Sequence, residues 1–331
     1  MIVTCEAWRA ETALTPPATS LGLDLWQSPA ALDWMGAYLH AHPHMLHICD
    51  GHKEARMPLL FRRLPGGLTL ASAYPYGWID GDTDLFWRAC GAIRHALRRR
   101  GVARLEIALS GEGLDQINAT ATGSPRSSLD AVRHVLDLGT MDAATMDQAF
   151  DPNIRWATRK ATRNGVIVRI ASMADVNTVQ DLYARTMQAK HAPINYGAER
   201  WKGLLSRLEP HGNGCIYLAH IDQQPIGMAA VADAALSRHL LQLAVPPEHQ
   251  STRAGELLVM TAVREAFDSG KRHFDFMASR ADDAGLIAFK AKWGARAEPI
   301  RHVVLPAIPL VAPMIDVARW LNRMGAHIRA Q

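Results

Sequence analysis

A chain of 331 residues, 48% hydrophobic and 21% charged, is long for one core and suits two globular domains better than a fibrous or disordered polymer. Its formal charge of +4 admits a polyanionic partner, such as tRNA, a nucleotide or an anionic membrane surface, without demanding one. No apolar run approaches the roughly 18 residues that span a bilayer, and Glu6, Arg9 and Glu11 interrupt the stretch a signal peptide needs apolar, so a cytoplasmic protein is expected.

In chain order, residues 29–40 read as a helix, with Leu32, Met35 and Leu39 at helical spacing. Residues 45–49 and 57–61 read as strands joined by a turn at Asp50-Gly51. A third strand over 68–73 leads into Tyr74-Pro75-Tyr76-Gly77-Trp78, either a packed turn or an exposed aromatic loop for an acceptor. Residues 85–100 form an amphipathic helix closed by Gly101, and 105–109 a buried strand. The small, polar stretch 119–128, with Gly123 and Pro125, is the clearest linker.

The second portion opens with a strand over 132–136. A basic helix over 154–164 runs into a strand over 166–170, and the helix 175–190 carries Val176, Val179, Leu182, Tyr183 and Met187 on one stripe. Strands 215–221 and 225–232 form a hairpin about Asp222-Gln223-Gln224, followed by a strand over 236–245. A helix over 254–269, a strand over 273–277, a short helix over 282–293 and a strand over 301–305 complete the order. Both portions read as helices, an antiparallel meander, then strand–helix–strand, which makes an α+β protein with mixed sheets. The tail, 313–330, sets Met314, Ile315, Val317, Leu321, Met324 and Ile328 against Arg319, Arg323 and Arg329. It either packs on a domain or lies as a basic helix against an anionic membrane.

Four residues of the short helix share one face: Leu286, Phe289, Lys290 and Trp293. An ammonium between a leucine and two aromatics either snorkels to water or points into a cleft where negative charge develops during a reaction. On the basic helix, Arg155, Arg159 and Arg163 recur every four residues beside Lys160, opposite Ile154, Ala157 and Ala161. With no acidic residue between Asp151 and Asp175, this is either a solvated face or a phosphate contact.

The stretch 271–299 resembles the C-terminal signature of FemAB-type aminoacyltransferases. That signature is a strand ending in Asp-Phe-Gly, a Ser, a loop, then Phe-Lys-x-x-aromatic-Gly and a Pro. Phe274-Asp275-Phe276, Ser279, Phe289-Lys290, Trp293-Gly294 and Pro299 fall into place. Residues 153–168 are similar to the family's basic helix running into Gly-Val and a strand. More loosely, Met57-Pro58-Leu59 and the Tyr74–Trp78 turn resemble its first domain. The resemblance covers about residues 25–305 and implies two tandem GNAT-like domains, 1–130 and 131–306, with 307–331 as a terminal amphipathic helix. It implies an N-acyltransferase that moves an amino acid from aminoacyl-tRNA to an amine acceptor, with Lys290 stabilising the oxyanion and Phe289 packing beside it. Arg155, Arg159, Lys160 and Arg163 would hold phosphates; Tyr196, Ser279, Arg280 and Trp293 would line the substrate cleft; and Asp275 would be a possible base.

The acetyltransferase loop that holds coenzyme A needs glycines whose amides approach a pyrophosphate. At the equivalent place, Arg253 stands for the first glycine and Gly255 fills the last position. The loop is degraded, which favours a donor other than coenzyme A, although Arg253 is itself a candidate phosphate ligand. Acyl-coenzyme A as donor and a non-catalytic accessory role in envelope polysaccharide synthesis are the alternatives. No metal is expected. His40, His42, His44, His47 and His52 crowd one segment, but Pro43 breaks it and no ligand pairing emerges. Cys5, Cys49, Cys90 and Cys215 lack C-x-x-C spacing and read as reduced, mostly buried thiols.

Overall fold

The computed structural model describes residues 1–8, 25–26, 28–64, 67–73, 75–110, 126–144, 146–309, 311 and 315, with 126–130 as backbone alone. The linker's 119–125, Tyr74 and nearly all of the 307–331 tail lie outside them. Contacts divide the chain into two units, residues 1–131 with 299–331, and residues 132–298.

Unit 1 begins with β1 (Ile2–Ala7), which has no counterpart in the sequence-based expectation. Helix α1 (Pro29–Leu39) follows, its first turn held by Ser28, whose hydroxyl accepts from the Ala31 N–H. Strands β2 (Ala41–Asp50) and β3 (Lys53–Arg63) are longer than expected and meet at a turn where Gly51 has φ 65°. β4 (Thr69–Ala73) and the two-residue β5 (Asp80–Gly81) precede a helix expected as one piece. It divides at Ala89 into α2 (Thr83–Arg88) and α3 (Cys90–Arg99). Asp82 caps α2 by accepting from the Leu85 N–H at 2.7 Å. β6 (Val102–Ser110) then runs parallel to β4.

Unit 2 opens with β7 (Arg126–Asp137), α4 (Met146–Ala149) and the basic helix α5 (Pro152–Arg163), capped by Asp151. Next come β8 (Ile167–Ile170), α6 (Val176–Ala189) and α7 (Ala198–Gly203), the last leading into further helical turns. β9 (Gly214–Ile221) and β10 (Gln224–Asp233) form the expected hairpin, turning through Asp222 and Gln223 at φ 48° and 64°. β11 (Ser237–Ala244), α8 (Ala254–Asp268), β12 (His273–Arg280) and α9 (Ala284–Ala291) follow, then β13 (Arg296–Pro306).

The sheet of unit 1 has the order β1-β2-β3-β4-β6-β13, with β5 on β3; that of unit 2 has the order β7-β12-β11-β10-β9-β8. In each, an antiparallel meander ends in a parallel pair bridged by helix: β4 with β6, and β11 with β12. The last strand was expected to close the second domain at 306. Its residues 300–306 instead pair with β6, so the division falls after Glu298. Each unit has its own apolar core. One is built around Leu46, Phe86, Ile93 and Leu105, the other around Phe150, Leu258, Phe274 and Trp293. Among the described residues, no helix is long and apolar enough to cross a membrane.

Candidate active site

β11 and β12 pair through only three residues, Ser237 with His273, Arg238 with Phe274 and His239 with Asp275. Past them lies a cleft of about 490 Å³. Its walls are Leu243 and Val245 after β11, Gln250, Arg253, Gly255 and Glu256 at the start of α8, Thr186 and Lys190 from α6, and Asp283, Gly285, Leu286 and Phe289 from α9. α9 is oriented by Asp283, which caps it by accepting from the Leu286 N–H at 3.0 Å.

Beside Phe289, Lys290 is 4% exposed, so its charge does not snorkel to water. Its Nζ donates to the Met277 carbonyl at 2.8 Å and to Ser279 Oγ at 2.7 Å. Burial lowers the Lys290 pKa to about 8, against the opposing pull of Asp275 and Asp283. The ammonium is therefore the main form at neutral pH, and two acceptors fix its direction. Met277 itself has φ 61°, a left-handed conformation that costs a non-glycine side chain energy. It occupies the place where the FemAB-type signature has glycine.

Asp275 holds that turn. Its Oδ1 accepts from the Met277 N–H at 2.7 Å, while Oδ2 lies 3.3 Å from His239 Nδ1 and 3.6 Å from Arg133 Nε. Burial raises the carboxyl's pKa, but Arg133, His239 and the Met277 amide outweigh it and hold it below the usual range. A carboxylate that is 1% exposed and engaged through both oxygens is poorly placed to take a proton from a substrate. The geometry makes Asp275 a positioning residue rather than the expected base. His239 Nε2 is 2.9 Å from Ser237 Oγ, giving a Ser–His–Asp order. All three are buried, however, and Ser237 starts β11 at the end remote from the cleft residues Leu243 and Val245.

Arg133, His134 and His239 escape a reading by motif. Arg133 Nε reaches Glu298 Oε2 at 3.3 Å as well as Asp275. Burial, then the Lys290 charge, lowers the His134 pKa, with Asp275 opposing, so the imidazole is neutral. The available signal was Arg133-His134 between the apolar Val132 and Val135-Leu136.

The remaining expected site residues separate. Trp293 is fully buried against Phe150, Phe276 and Phe289, and it serves the core rather than the cleft mouth. Ser279 is on Lys290, whereas Arg280 is exposed and paired with Asp282. Tyr196 stacks on the Arg200 guanidinium at 3.7 Å and against Tyr183. On α5, Ile154, Ala157 and Ala161 are buried as expected. Arg159 Nε donates to the Arg155 carbonyl at 3.1 Å, and Arg163 is exposed. Trp156, 46% exposed, has Lys160 at 5.1 Å and Arg253 at 5.6 Å from its ring. Arg253 has φ 63°, the conformation a glycine would take there, and its guanidinium lies 3.4 Å from Glu256. A Cβ added at Gly255 would meet Val245 at 3.6 Å, an ordinary contact.

A strand that leaves its parallel neighbour beside a helix N-terminus is the feature that defines an acyl-donor cleft in acetyltransferases. Residues 149–290 match the family model described as acetyltransferase (GNAT) domain. A crystal structure of FemX superposes with a TM-score of 0.68 at 12% identity, over 87% of this chain and 94% of that one. The protein has a FemAB-type tandem GNAT fold. A tandem GNAT protein from the clavulanic acid biosynthesis pathway has a TM-score of 0.58 at 16% identity, over 92% of this chain and 99% of that one. L-PGS from Bacillus licheniformis also has a TM-score of 0.58, at 11% identity, over 91% and 92% of the two chains. The curated proteins give no sequence match. In this tandem GNAT fold, the splayed pair β11/β12 belongs to the matched segment, and so does Lys290.

Proposed function

We propose that the protein is an N-acyltransferase that transfers an aminoacyl group from tRNA to an amine acceptor. The observation that carries this reading is the buried Lys290 ammonium, clamped between the Met277 carbonyl and Ser279 Oγ beside the cleft. An amine attacking an ester carbonyl forms a C–N bond and places negative charge on the carbonyl oxygen. Lys290 stabilises that oxyanion before the C–O bond breaks and the ribose hydroxyl leaves with a proton. The other amine hydrogen stays on the amide nitrogen, and an acceptor that arrives as its ammonium first loses one proton to solvent. Asp275, held by Arg133 and His239, sets the Met277 peptide that aims Lys290.

Charge near the donor end supports tRNA. Glu256 puts a carboxylate on the cleft wall at the first turn of α8, where a pyrophosphate would be repelled, and Arg253 is drawn toward that carboxylate. Arg155, Lys160 and Arg163 of α5 supply phosphate-binding charge without an intervening acid. FemX is the likeness that supports this donor. The second reading, an acyl-coenzyme A donor, rests on Gly255 at the cleft and on the tandem GNAT likeness.

Binding of a bulk charged tRNA pool, competed by deacylated tRNA and by coenzyme A, tests the reading. Expected is retention of charged tRNA, weak competition by deacylated tRNA and none by coenzyme A. Displacement by coenzyme A, with salt-sensitive tRNA binding alone, transfers the assignment to the second reading.

A further inference from the structure

The outer face of the first unit's sheet carries a side-chain cluster that neither the cleft nor the proposed reaction uses. His47 and Cys49 stand two residues apart on β2, between the core residues Leu46 and Ile48, and so point to the face opposite the core. Glu54 on β3 is the register partner of Cys49 across the hairpin. His47 Nε2 lies 3.2 Å from Cys49 Sγ and 3.5 Å from Glu54 Oε2, and one ligand atom from each residue falls within 4.8 Å of the others.

We propose that His47, Cys49 and Glu54 form a binding site for a divalent transition metal of borderline softness, zinc above all. The Cys49 sulfur lies beside the ring, 3.2 Å from Nε2 and 3.9 Å from Nδ1, and the Glu54 oxygen is 3.5 Å from Nε2. A proton relay from carboxylate through imidazole to thiol uses the two ring nitrogens separately. Here Nε2 is the ring nitrogen nearest the thiol, and a turn of the imidazole brings the three donor atoms around one point. With usual zinc bonds to N, O and S, tetrahedral geometry places ligand atoms about 3.4–3.6 Å apart, against the 3.2 and 3.5 Å found. Nitrogen, sulfur and carboxylate oxygen together suit zinc rather than magnesium or calcium.

Cys49 and His47 are half-buried and Glu54 is exposed, so the fourth position opens to water or to a ligand. Binding displaces the Cys49 thiol proton to solvent and leaves His47 neutral with Nδ1 protonated. The other thiols are differently placed. Burial pushes Cys5, Cys90 and Cys215 up to about 11, which disfavours the thiolate that a metal needs.

Cobalt(II) titration of the full chain, after dialysis against a chelator, tests the site. Expected are one equivalent bound, a thiolate-to-cobalt charge-transfer band, intense tetrahedral d–d bands, and displacement of all of them by zinc. Cys49→Ser is expected to abolish the charge-transfer band and His47→Ala the tight equivalent, whereas Cys215→Ser leaves both. Zinc should raise the melting temperature of the natural chain and not that of Cys49→Ser, which also shows that the variant folds. No thiolate band in the folded natural chain, or a band that survives Cys49→Ser, overturns the proposal.

Discussion

The two units use one plan, and they differ where it counts for chemistry. In unit 1 the parallel pair is closed along all of β4, from Thr69 opposite Val102 to Ala73 opposite Ile107. The chain after it stays on β6, with the Gly77 N–H donating to the Ala108 carbonyl at 2.7 Å. In unit 2 the equivalent pair parts after Asp275, and a cleft lies beyond. Closure leaves a packed sheet; parting leaves an open cleft and a strand end, Phe276–Arg280, that is free to hold Lys290. The repeated plan therefore gives one closed pair and one open one.

The largest test is on the open side. Lys290→Ala is expected to slow amide formation by on the order of 10²–10³, measured with charged tRNA and the acceptor; an unchanged rate would remove the site from unit 2. The same residue fixes the pH profile. The ammonium is lost as pH rises through about 8, so the rate should fall above that value by up to about tenfold per unit. Stability moves the other way. A buried charge is a penalty in full below about 8 and is relieved as pH climbs toward the ordinary lysine value. Thermal melts and rate profiles over one pH series read both trends, and a rate that rises above pH 8 breaks the assignment.

On the closed side, a Cβ at Gly77 would meet Ile107 Cγ2 at 2.7 Å and Ala73 Cβ at 2.9 Å. Gly77→Ala should cost about 1–3 kcal/mol in denaturant unfolding and leave ligand binding in unit 2 unchanged. The smallest effect is expected at Met277, whose φ of 61° suits glycine. Met277→Gly should raise stability by at most about 1 kcal/mol, the relief of strain being offset by lost burial and by backbone entropy. A marked loss of stability would show that the Met277 side chain, not only its carbonyl, supports Lys290.

Much of this contrast was readable from residues, because its elements are long and patterned. Val176, Val179, Leu182 and Tyr183 of α6, the extent of α8, the hairpin at Asp222-Gln223 and the Phe289-Lys290 signature all sit where periodicity and resemblance put them. β1 was missed because Ile2–Ala7 has weak alternation and gains its place only by pairing with β2. Trp293 shares a helical face with Lys290, but spacing does not tell a cleft wall from a core, and Phe150 and Phe276 decide it for the core. The role of Asp275 was hidden for a similar reason. Arg133 and His239 come from other strands, and only tertiary pairing brings them to its carboxylate. The cluster of His47 and Cys49 was likewise incomplete along one strand, since Glu54 joins it from across a hairpin.

The return of β13 to β6 has a consequence for synthesis. Unit 1 waits for residues 299–306, although most of it was made first. Until then β6 presents an unpaired backbone edge, the kind of surface on which nascent chains stick to one another. The first-made strands of unit 1 thus cannot finish their sheet until the last strand has emerged.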